Sequence, residues 1–151
     1  MVQSLARWLR ILGEEALYPE DFDDTALLRL AKEKQAVLLT RDLELSKRAE
    51  KSGVACFLVP RNLSLAQQLA LLVREFRLDL SRFPSRTLCP SCNGSLRLVG
   101  RKEAEGKALE SIVARHESFW LCGSCGKLYW EGSHWEKISA FVEQVKKLAS
   151  E

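Results

Sequence analysis

Two Cys-x-x-Cys pairs constrain this chain of 151 residues more than any other feature of its sequence. They are Cys89-Pro90-Ser91-Cys92 and Cys122-Gly123-Ser124-Cys125, and 29 residues separate them. Each turn presents two sulfur atoms to one side, so the two turns together can place four thiolates around one Zn²⁺. Four thiolates close the coordination sphere, which predicts a structural ion that supplies much of the folding energy of a small module. Gly94 and Gly126 follow the pairs, where we expect tight turns to need a positive φ. The alternative is four unrelated core or redox cysteines.

The expected cellular compartment supports the metal interpretation. The first ten residues place Arg7 and Arg10 among apolar residues, without the apolar run and cleavage site of a secretory signal. Charged residues interrupt every hydrophobic stretch before it reaches the roughly 18 residues that a membrane span needs. We therefore expect a soluble, cytoplasmic protein with no membrane partner, and in a reducing cell paired cysteines are more often metal ligands than disulfides. Cys56 stands alone in an apolar segment and is expected to be a small core residue.

Apolar strands alternate with amphipathic helices through the first 80 residues. The apolar spacing and the candidate caps predict helices over residues 4–12, from Asp23 or Asp24 through Ala31, over Leu43–Lys51 and over Leu65–Phe76. Continuous apolar runs predict strands over residues 36–40 and 54–59, and residues 16–18 form a short extended run. This alternation is typical of βαβ units, and so predicts an α/β fold with a mainly parallel sheet covered by helices.

The pattern changes after residue 80. A polar stretch over residues 81–87 predicts a boundary between a domain of residues 1–80 and a second module of residues 86–151. Short strands are expected over residues 96–99, 119–121 and 127–130, followed by a closing amphipathic helix with an apolar stripe at Ile138, Phe141, Val142 and Val145. The aromatic residues of this module either form its small core or expose one or two rings for base stacking: Phe119, Trp120, Tyr129, Trp130 and Trp135.

Charge is distributed unevenly along the chain. The formal net charge is +3, and the whole excess lies in residues 81–151. Residues 81–102 hold no acid, whereas residues 14–24 hold six acids and no base. A basic segment is suited to a polyanion and an acidic cluster to a cation. The basic residues in question are Arg82, Arg86, Arg97, Arg101 and Lys102.

Two aspartates occupy positions where parallel sheets carry ligand sites. Asp42 follows a predicted strand, and Asp24 stands at the start of a predicted helix. Ligands of open α/β sheets bind outside the carboxyl ends of the strands, and Mg²⁺ is commonly held by one or two carboxylates with phosphate and water. These two residues are therefore a candidate metal half-site. The alternative interpretation is that Asp24 is a helix cap and Asp42 a turn residue.

Several separated segments together resemble the Mut-7 C-terminal RNase domain family. They are Leu5-Ala6-Arg7-Trp8-Leu9-Arg10-Ile11-Leu12-Gly13, Asp23-Asp24, Leu38-Leu39-Thr40-Arg41-Asp42, Cys89-Pro90-Ser91-Cys92-Asn93-Gly94 and Tyr129-Trp130-Glu131-Gly132-Ser133-His134-Trp135. The resemblance covers the chain nearly end to end. It implies a PIN-like (Rossmann-like) nuclease domain followed by a zinc ribbon, with RNA as the substrate.

The resemblance also implies roles for individual residues. Asp24 and Asp42 would be metal-holding acids, Arg41 would lie beside the active site, and the four paired cysteines would bind zinc. The resulting hypothesis is a ribonuclease for single-stranded RNA that uses Mg²⁺ or Mn²⁺, with Asp21 or Asp23 near the metal-holding pair. In this hypothesis the basic run from Arg82 to Lys102 holds the RNA backbone, and His134 faces the RNA or the solvent.

One departure from the family pattern bears on activity. Family members begin with a strand that ends in a catalytic Asp, and the segment starting at Met1 matches the family only beyond that strand. We expect the natural chain to start upstream, because a missing central strand would leave backbone groups of its neighbours unpaired. Without that strand, activity is expected to be weak or absent. The rival hypotheses are a non-catalytic RNA- or ribosome-binding zinc-ribbon protein on a degenerate PIN-like scaffold, and a protein-interaction adaptor; the sequence leaves the oligomeric state open.

Overall fold

The computed structural model describes residues 2–151 as a mixed α/β protein with two small sheets. The helices of this range are α1 (Val2–Ile11), α2 (Asp24–Glu33), α3 (Leu43–Lys51), α4 (Leu65–Phe76), α5 (Arg101–Ala104), α6 (Glu110–Arg115) and α7 (Ser133–Ser150). Its strands are β1 (Leu38–Thr40), β2 (Cys56–Leu58), β3 (Leu96–Gly100), β4 (Ser118–Cys122) and β5 (Leu128–Tyr129). A short 3-10 turn spans Leu80–Arg82.

Side-chain caps fix where α2, α3 and α4 begin. Asp23 caps α2 by accepting the Ala26 N–H at 2.8 Å. Ser64 and Gln67 form a reciprocal capping box at the start of α4. The predicted bounds of α3 and α4 are confirmed, and the predicted helix over residues 4–12 corresponds to α1.

The first sheet is a parallel pair formed by β1 and β2, with Leu38 opposite Cys56 and Thr40 opposite Leu58. The small parallel sheet with helices confirms the α/β class. Both strands are shorter than predicted, because only the segment opposite the partner strand is hydrogen-bonded. In a parallel pair, every second residue of a strand bonds to the same neighbouring strand, and here Leu38 and Thr40 bond toward β2. The N–H and C=O of Leu39 therefore point away from β2. No strand lies on that side within residues 2–151.

An open groove of about 750 Å³ lies along that free side of β1. Apolar side chains line much of it, from α2, from α4 and from residues 14–20. The predicted extended run at residues 16–18 contributes to this lining and pairs with neither strand of the sheet. The two-stranded sheet therefore presents one backbone edge to the groove.

The second sheet is antiparallel, in the order β3-β4-β5. Helices α5 and α6, which the sequence analysis did not predict, fill the connection between β3 and β4. Phe119 is fully buried beneath them, with Val99, Ala104 and Val113 around it. This small core is the interior of the ribbon module.

The closing helix α7 packs against the first part of the chain. Val142 and Val145 are 0% and 1% exposed and share one core with Leu5 of α1 and Leu69 of α4. The rings of Trp8 and Phe141 lie 4.2 Å apart between their centroids. The closing helix, which is predicted to belong to the ribbon module, thus joins the core of the first part. The division at residues 80–86 stays a prediction.

A buried arginine connects α1 to the first cysteine turn. Arg10 is 8% exposed, and its guanidinium donates to the carbonyls of Ala16 at 2.7 Å, Pro90 at 3.0 Å and Ser91 at 3.2 Å. The Leu88 N–H donates to the backbone carbonyl of Arg10 at 2.8 Å. The end of α1 therefore holds the first cysteine turn in place.

No helix in residues 2–151 combines the length and the apolar character that crossing a membrane requires.

Candidate functional site

The four paired cysteines converge on one point. Their sulfur atoms all lie within 4.8 Å of one another, with Cys89 and Cys125 3.7 Å apart and Cys92 and Cys122 3.4 Å apart. A disulfide needs about 2.05 Å between sulfurs, whereas four sulfurs in a tetrahedron around Zn²⁺ at about 2.3 Å lie about 3.8 Å apart. The group therefore fits a metal ion such as zinc, and it is the one group of three or more candidate ligand residues within residues 2–151.

The two cysteine turns are built alike. In each, the N–H of the first cysteine donates to the carbonyl five residues later, and the N–H four residues later donates back to the carbonyl of the first cysteine. These bonds run from Cys89 to Gly94, from Asn93 to Cys89, from Cys122 to Lys127 and from Gly126 to Cys122. The fifth residue of each turn has a positive φ, 72° at Asn93 and 73° at Gly126. The local sequence thus preforms both halves of the site.

The reason for a glycine at position 94 differs from the one expected. The positive φ of the first turn falls on Asn93, and Gly94 is not among the residues with positive φ. A Cβ at Gly94 would instead lie 2.6 Å from the Ser124 hydroxyl oxygen and 2.9 Å from the Cys122 sulfur. Glycine is needed there because the second cysteine turn passes so close.

Backbone amides favour the thiolate forms of two of the four cysteines, Cys122 and Cys89. At Cys92 the Gly94 N–H lowers the pKa, but burial and hydrogen bonds with the other three thiols outweigh it and raise the pKa to about 12. Burial raises the pKa of the Cys122 thiol. The backbone N–H groups of Cys125 and Ser124 and the Cys92 thiol form hydrogen bonds with it that outweigh burial and lower the pKa to about 6. Burial likewise raises the pKa of Cys89, and the hydrogen bond of Tyr129 and backbone N–H groups bring it below its ordinary value. Deprotonated sulfur is the metal ligand, so these contacts suit a metal site.

A polar group surrounds the sulfur of Cys89. The Tyr129 hydroxyl lies 3.1 Å from the Cys89 sulfur and 3.4 Å from the Ser91 hydroxyl oxygen. Lys127 donates to that Ser91 oxygen at 2.8 Å. Burial and the hydrogen bond with Cys89 raise the pKa of Tyr129 to about 12. The phenol therefore stays protonated and can donate its hydrogen to the thiolate.

We expect Tyr129→Phe to weaken zinc binding by roughly 10- to 100-fold. Loss of a hydrogen-bond partner that orients a metal ligand typically reduces metal affinity by this amount. Competition with a chromophoric chelator measures the change. Tyr18→Phe, an exposed tyrosine of the first part, is the matched control and should leave zinc affinity unchanged. Equal affinities for the Tyr129→Phe protein and the unaltered protein would contradict the role of the phenol.

Three of the predicted acidic residues, Asp23, Asp24 and Asp42, lie at helix starts, and Asp21 lies in the turn before α2. The Asp42 Oδ1 accepts the N–H groups of Glu44 and Leu45 at 2.8 and 3.1 Å and caps α3. The Asp24 Oδ2 pairs with Arg48 of α3 at 2.8 Å, which links α2 to α3.

No three of the predicted acids come together within residues 2–151: Asp21, Asp23, Asp24 and Asp42. All four are exposed. Asp42 and Asp24 each keep one carboxylate oxygen without a hydrogen-bond partner in this range. Each free oxygen is of the type that Mg²⁺ or Mn²⁺ prefers, and these acids belong to no group of three or more candidate ligand residues within residues 2–151.

The predicted basic residues divide into two groups. Three are engaged with acids: Arg82 with Asp79 at 2.9 Å, Arg97 with Glu103 at 2.7 Å, and Arg101 with Glu117 at 3.9 Å. The others are exposed and have no ion pair within residues 2–151: Arg86, Lys102 and His134. The positive charge of residues 81–102 is thus partly neutralised by Asp79 and Glu103, which flank this segment, and by the more distant Glu117.

The aromatic side chains of the ribbon mostly pack against one another. Trp135 stacks between Phe83 and Trp120, with ring centroids 5.5 and 6.2 Å away. Trp130 packs against the core around Phe119. This arrangement favours the core interpretation of these rings over base stacking.

Arg41 extends into the interior at the end of β1. It is half-buried and donates from Nη2 to the Gln68 Oε1 at 2.8 Å. Arg61 donates to the backbone carbonyl of Arg41. The sequence does not single out Arg61 or Gln68, since a single Arg or Gln in a loop or helix carries no motif. Their contacts with Arg41 in the folded chain identify them.

Comparison with protein families matches residues 1–142 to the Mut7-C RNAse domain. Comparisons with curated proteins and with solved structures found no match. The matched range covers both cysteine turns, Asp24, Asp42 and most of α7, and confirms the resemblance seen in the sequence. The chain belongs to the Mut7-C RNAse domain family.

Proposed function

We propose that this protein is a metal-dependent ribonuclease that cleaves phosphodiester bonds of single-stranded RNA. Membership of an RNase domain family is the observation that carries the proposal, and it implies a ribonuclease-like role with an RNA substrate. The proposal includes a PIN-like domain over residues 1–80, a zinc ribbon with its closing helix over residues 86–151, and a cytoplasmic location. The four cysteines hold zinc as a structural ion.

Asp42 and Asp24 are the proposed ligands of a catalytic Mg²⁺ or Mn²⁺. Asp42 is the second residue after β1, at the carboxyl end where sheets of this type bind ligands. A divalent ion bound there supplies Lewis acidity toward water and a phosphate oxygen. Asp21 and Asp23 lie in the segment leading to α2 and contribute negative charge nearby. Arg41 neutralises a phosphate oxygen of the RNA.

The basic residues of the second module are the proposed contacts to the RNA backbone. Arg86, Lys102 and His134 are free to meet phosphate, while Arg82, Arg97 and Arg101 exchange their exposed acidic partners for it. Exposed ion pairs contribute little free energy, so a phosphate can displace them at small cost. Binding of this kind weakens steeply with salt.

The ion pair between Asp24 and Arg48 gives a test of the metal site. If Asp24 is a ligand, the cation must displace Arg48, and we expect Arg48→Gln to raise Mn²⁺ affinity about two- to fivefold, because an exposed pair contributes up to about 1 kcal/mol. Manganese titration followed by electron paramagnetic resonance measures this change. Arg29→Gln removes an exposed arginine of α2 and is the matched control. A lower affinity for the Arg48→Gln protein would remove Asp24 from the site.

One alternative function has an observation in its favour. The acids do not form a group of three within residues 2–151, which favours a non-catalytic RNA- or ribosome-binding protein on a degenerate PIN-like scaffold. Incubating labelled single-stranded RNA with the protein and Mn²⁺ separates the two. Cleavage supports the ribonuclease, and salt-sensitive binding without cleavage supports the alternative. An adaptor would bind no RNA in this assay and would bind a protein in a separate, salt-insensitive assay.

A further inference from the structure

Two arginines meet where the parallel strands end. Arg41 follows β1, and Arg61 lies in the loop after β2. The Arg61 guanidinium donates through Nε and Nη2 to the backbone carbonyl of Arg41, at 3.3 and 2.9 Å. The loops after the two strands are therefore tied together by a cation at the edge where α/β sheets bind ligands.

Gln68 of α4 holds the side chain of Arg41 in this position. It is 2% exposed, and its Nε2 donates to the carbonyls of Pro60 and Leu63 at 2.8 and 3.0 Å. Both amide hydrogens are thereby used, which leaves Oε1 to accept from Arg41 at 2.8 Å. Since Pro60 and Leu63 flank Arg61, one buried amide fixes the side chain of Arg41 against the loop that carries Arg61.

The charge of these two groups is uncompensated. No carboxylate lies within 4.0 Å of either guanidinium within residues 2–151, although six other ion pairs are formed there. The Nε of Arg41 is buried without a hydrogen-bond partner in the same range. This buried Nε is closed to an external ligand, but the Nη1 of each arginine carries no hydrogen bond in the same range. These two groups, with the uncompensated charge, are suited to an anion with several oxygens.

We infer that Arg41 and Arg61 together bind one backbone phosphate of the RNA and that Gln68 is the positioning residue for Arg41. The inference rests on the proposed function, because it takes RNA as the ligand. It adds Arg61 and Gln68 to the site and places a phosphate contact beside Asp42. Arg61 is exposed and donates to the backbone carbonyl of Arg41 through Nε and Nη2. Its Nη1 group can therefore donate to the RNA phosphate that Arg41 contacts.

Binding of a fluorescent single-stranded RNA oligonucleotide without added Mg²⁺ or Mn²⁺ tests the inference separately from cleavage. We expect Arg41→Gln and Arg61→Gln each to weaken binding roughly tenfold or more, as loss of a charged hydrogen-bond donor does. The slope of log affinity against log salt should fall by about 0.7 for each variant. Because both residues contact one phosphate, the double variant should lose little more than either single one. Arg29→Gln is the matched control and should change neither quantity.

Gln68 is tested by a double-mutant cycle. Gln68→Met should weaken RNA binding while leaving the salt slope near that of the unaltered protein, since both arginines keep their charge. Combined with Arg41→Gln, it should add little further loss, whereas a purely structural effect of Gln68→Met would be additive. Thermal unfolding verifies that each variant is folded. Failure of the unaltered protein to bind RNA, or losses for Arg41→Gln and Arg61→Gln no larger than for Arg29→Gln, would overturn the inference even if RNA is cleaved.

Discussion

Replacing Cys122 with Ser should remove the bound zinc and unfold the ribbon. Cys122 is 2% exposed at the end of β4, and its sulfur lies 3.4 Å from that of Cys92. Binding of structural zinc contributes about 10–16 kcal/mol to the folding of small zinc modules, more than the ribbon core around Phe119 can replace. Zinc content per chain should fall from about one to near zero, and the backbone amides of β3, β4 and β5 should lose protection from hydrogen exchange.

Cys56→Ser is the matched control for this experiment. Cys56 is a half-buried cysteine of β2 that packs against α2 and α3 and takes no part in the sulfur group. Its replacement should leave zinc content at one per chain. Protection in α1, α4 and α7 should largely persist in the Cys122→Ser protein, because these helices share a separate core. Full zinc content in that protein would contradict the four-thiolate site.

Local signals account for the elements that the sequence predicted well. Asp42 and Ser64 each satisfy backbone N–H groups at a helix start, which is why the predicted bounds of α3 and α4 agree with the structure. The cysteine site was equally predictable, because its two turns are set by hydrogen bonds within six residues of chain. Where the determinants lie inside one short window, the sequence pattern was sufficient.

Elements that depend on distant partners were not predictable in this way. The apolar stripe of α7 indicated a buried face but not that α1 and α4 would cover it. Residues 16–18 read as extended, yet the Ala16 N–H donates to the Asn93 side chain at 2.9 Å and not to a strand. Helices α5 and α6 span only four and six residues, too few to show a periodicity.

The charged residues of the candidate site show the same limit. Residues 81–102 contain no acid, but Asp79 and Glu103 lie immediately outside and pair with Arg82 and Arg97. Asp24 and Arg48 lie 24 positions apart in the sequence, and their contact likewise joins α2 to α3. A count of charge along the chain therefore overestimated the free basic surface, and it did not indicate that Gln68 holds Arg41.

Asp42→Asn should lower kcat/KM for cleavage of single-stranded RNA with Mn²⁺ by roughly 100-fold or more, since loss of a metal-holding carboxylate removes several kcal/mol of stabilisation from the transition state. Asn is as good a helix cap as Asp, and its side-chain oxygen can still accept the N–H groups of Glu44 and Leu45. The fold and the start of α3 should therefore be preserved, so that the loss reports on the carboxylate charge. Cleavage of an end-labelled oligonucleotide resolved on a gel measures the rate.

Asp79→Asn provides a control of the same chemistry at another place. Asp79 is also an exposed cap, accepting the Ser81 N–H at 3.0 Å, and it pairs with Arg82 at 2.9 Å. Because Arg82 is a proposed RNA contact, releasing it should leave kcat/KM unchanged or raise it slightly. Hydrogen bonds from the side chain and backbone of Ser81 hold the pKa of Asp79 below the ordinary value, so it is ionised at neutral pH. Both substitutions thus remove one negative charge from a helix or turn start, but only Asp42 lies at the carboxyl end of β1. Equal cleavage rates for the two variants would mean that a carboxylate at residue 42 has no special part in hydrolysis, and they would favour the binding protein over the nuclease.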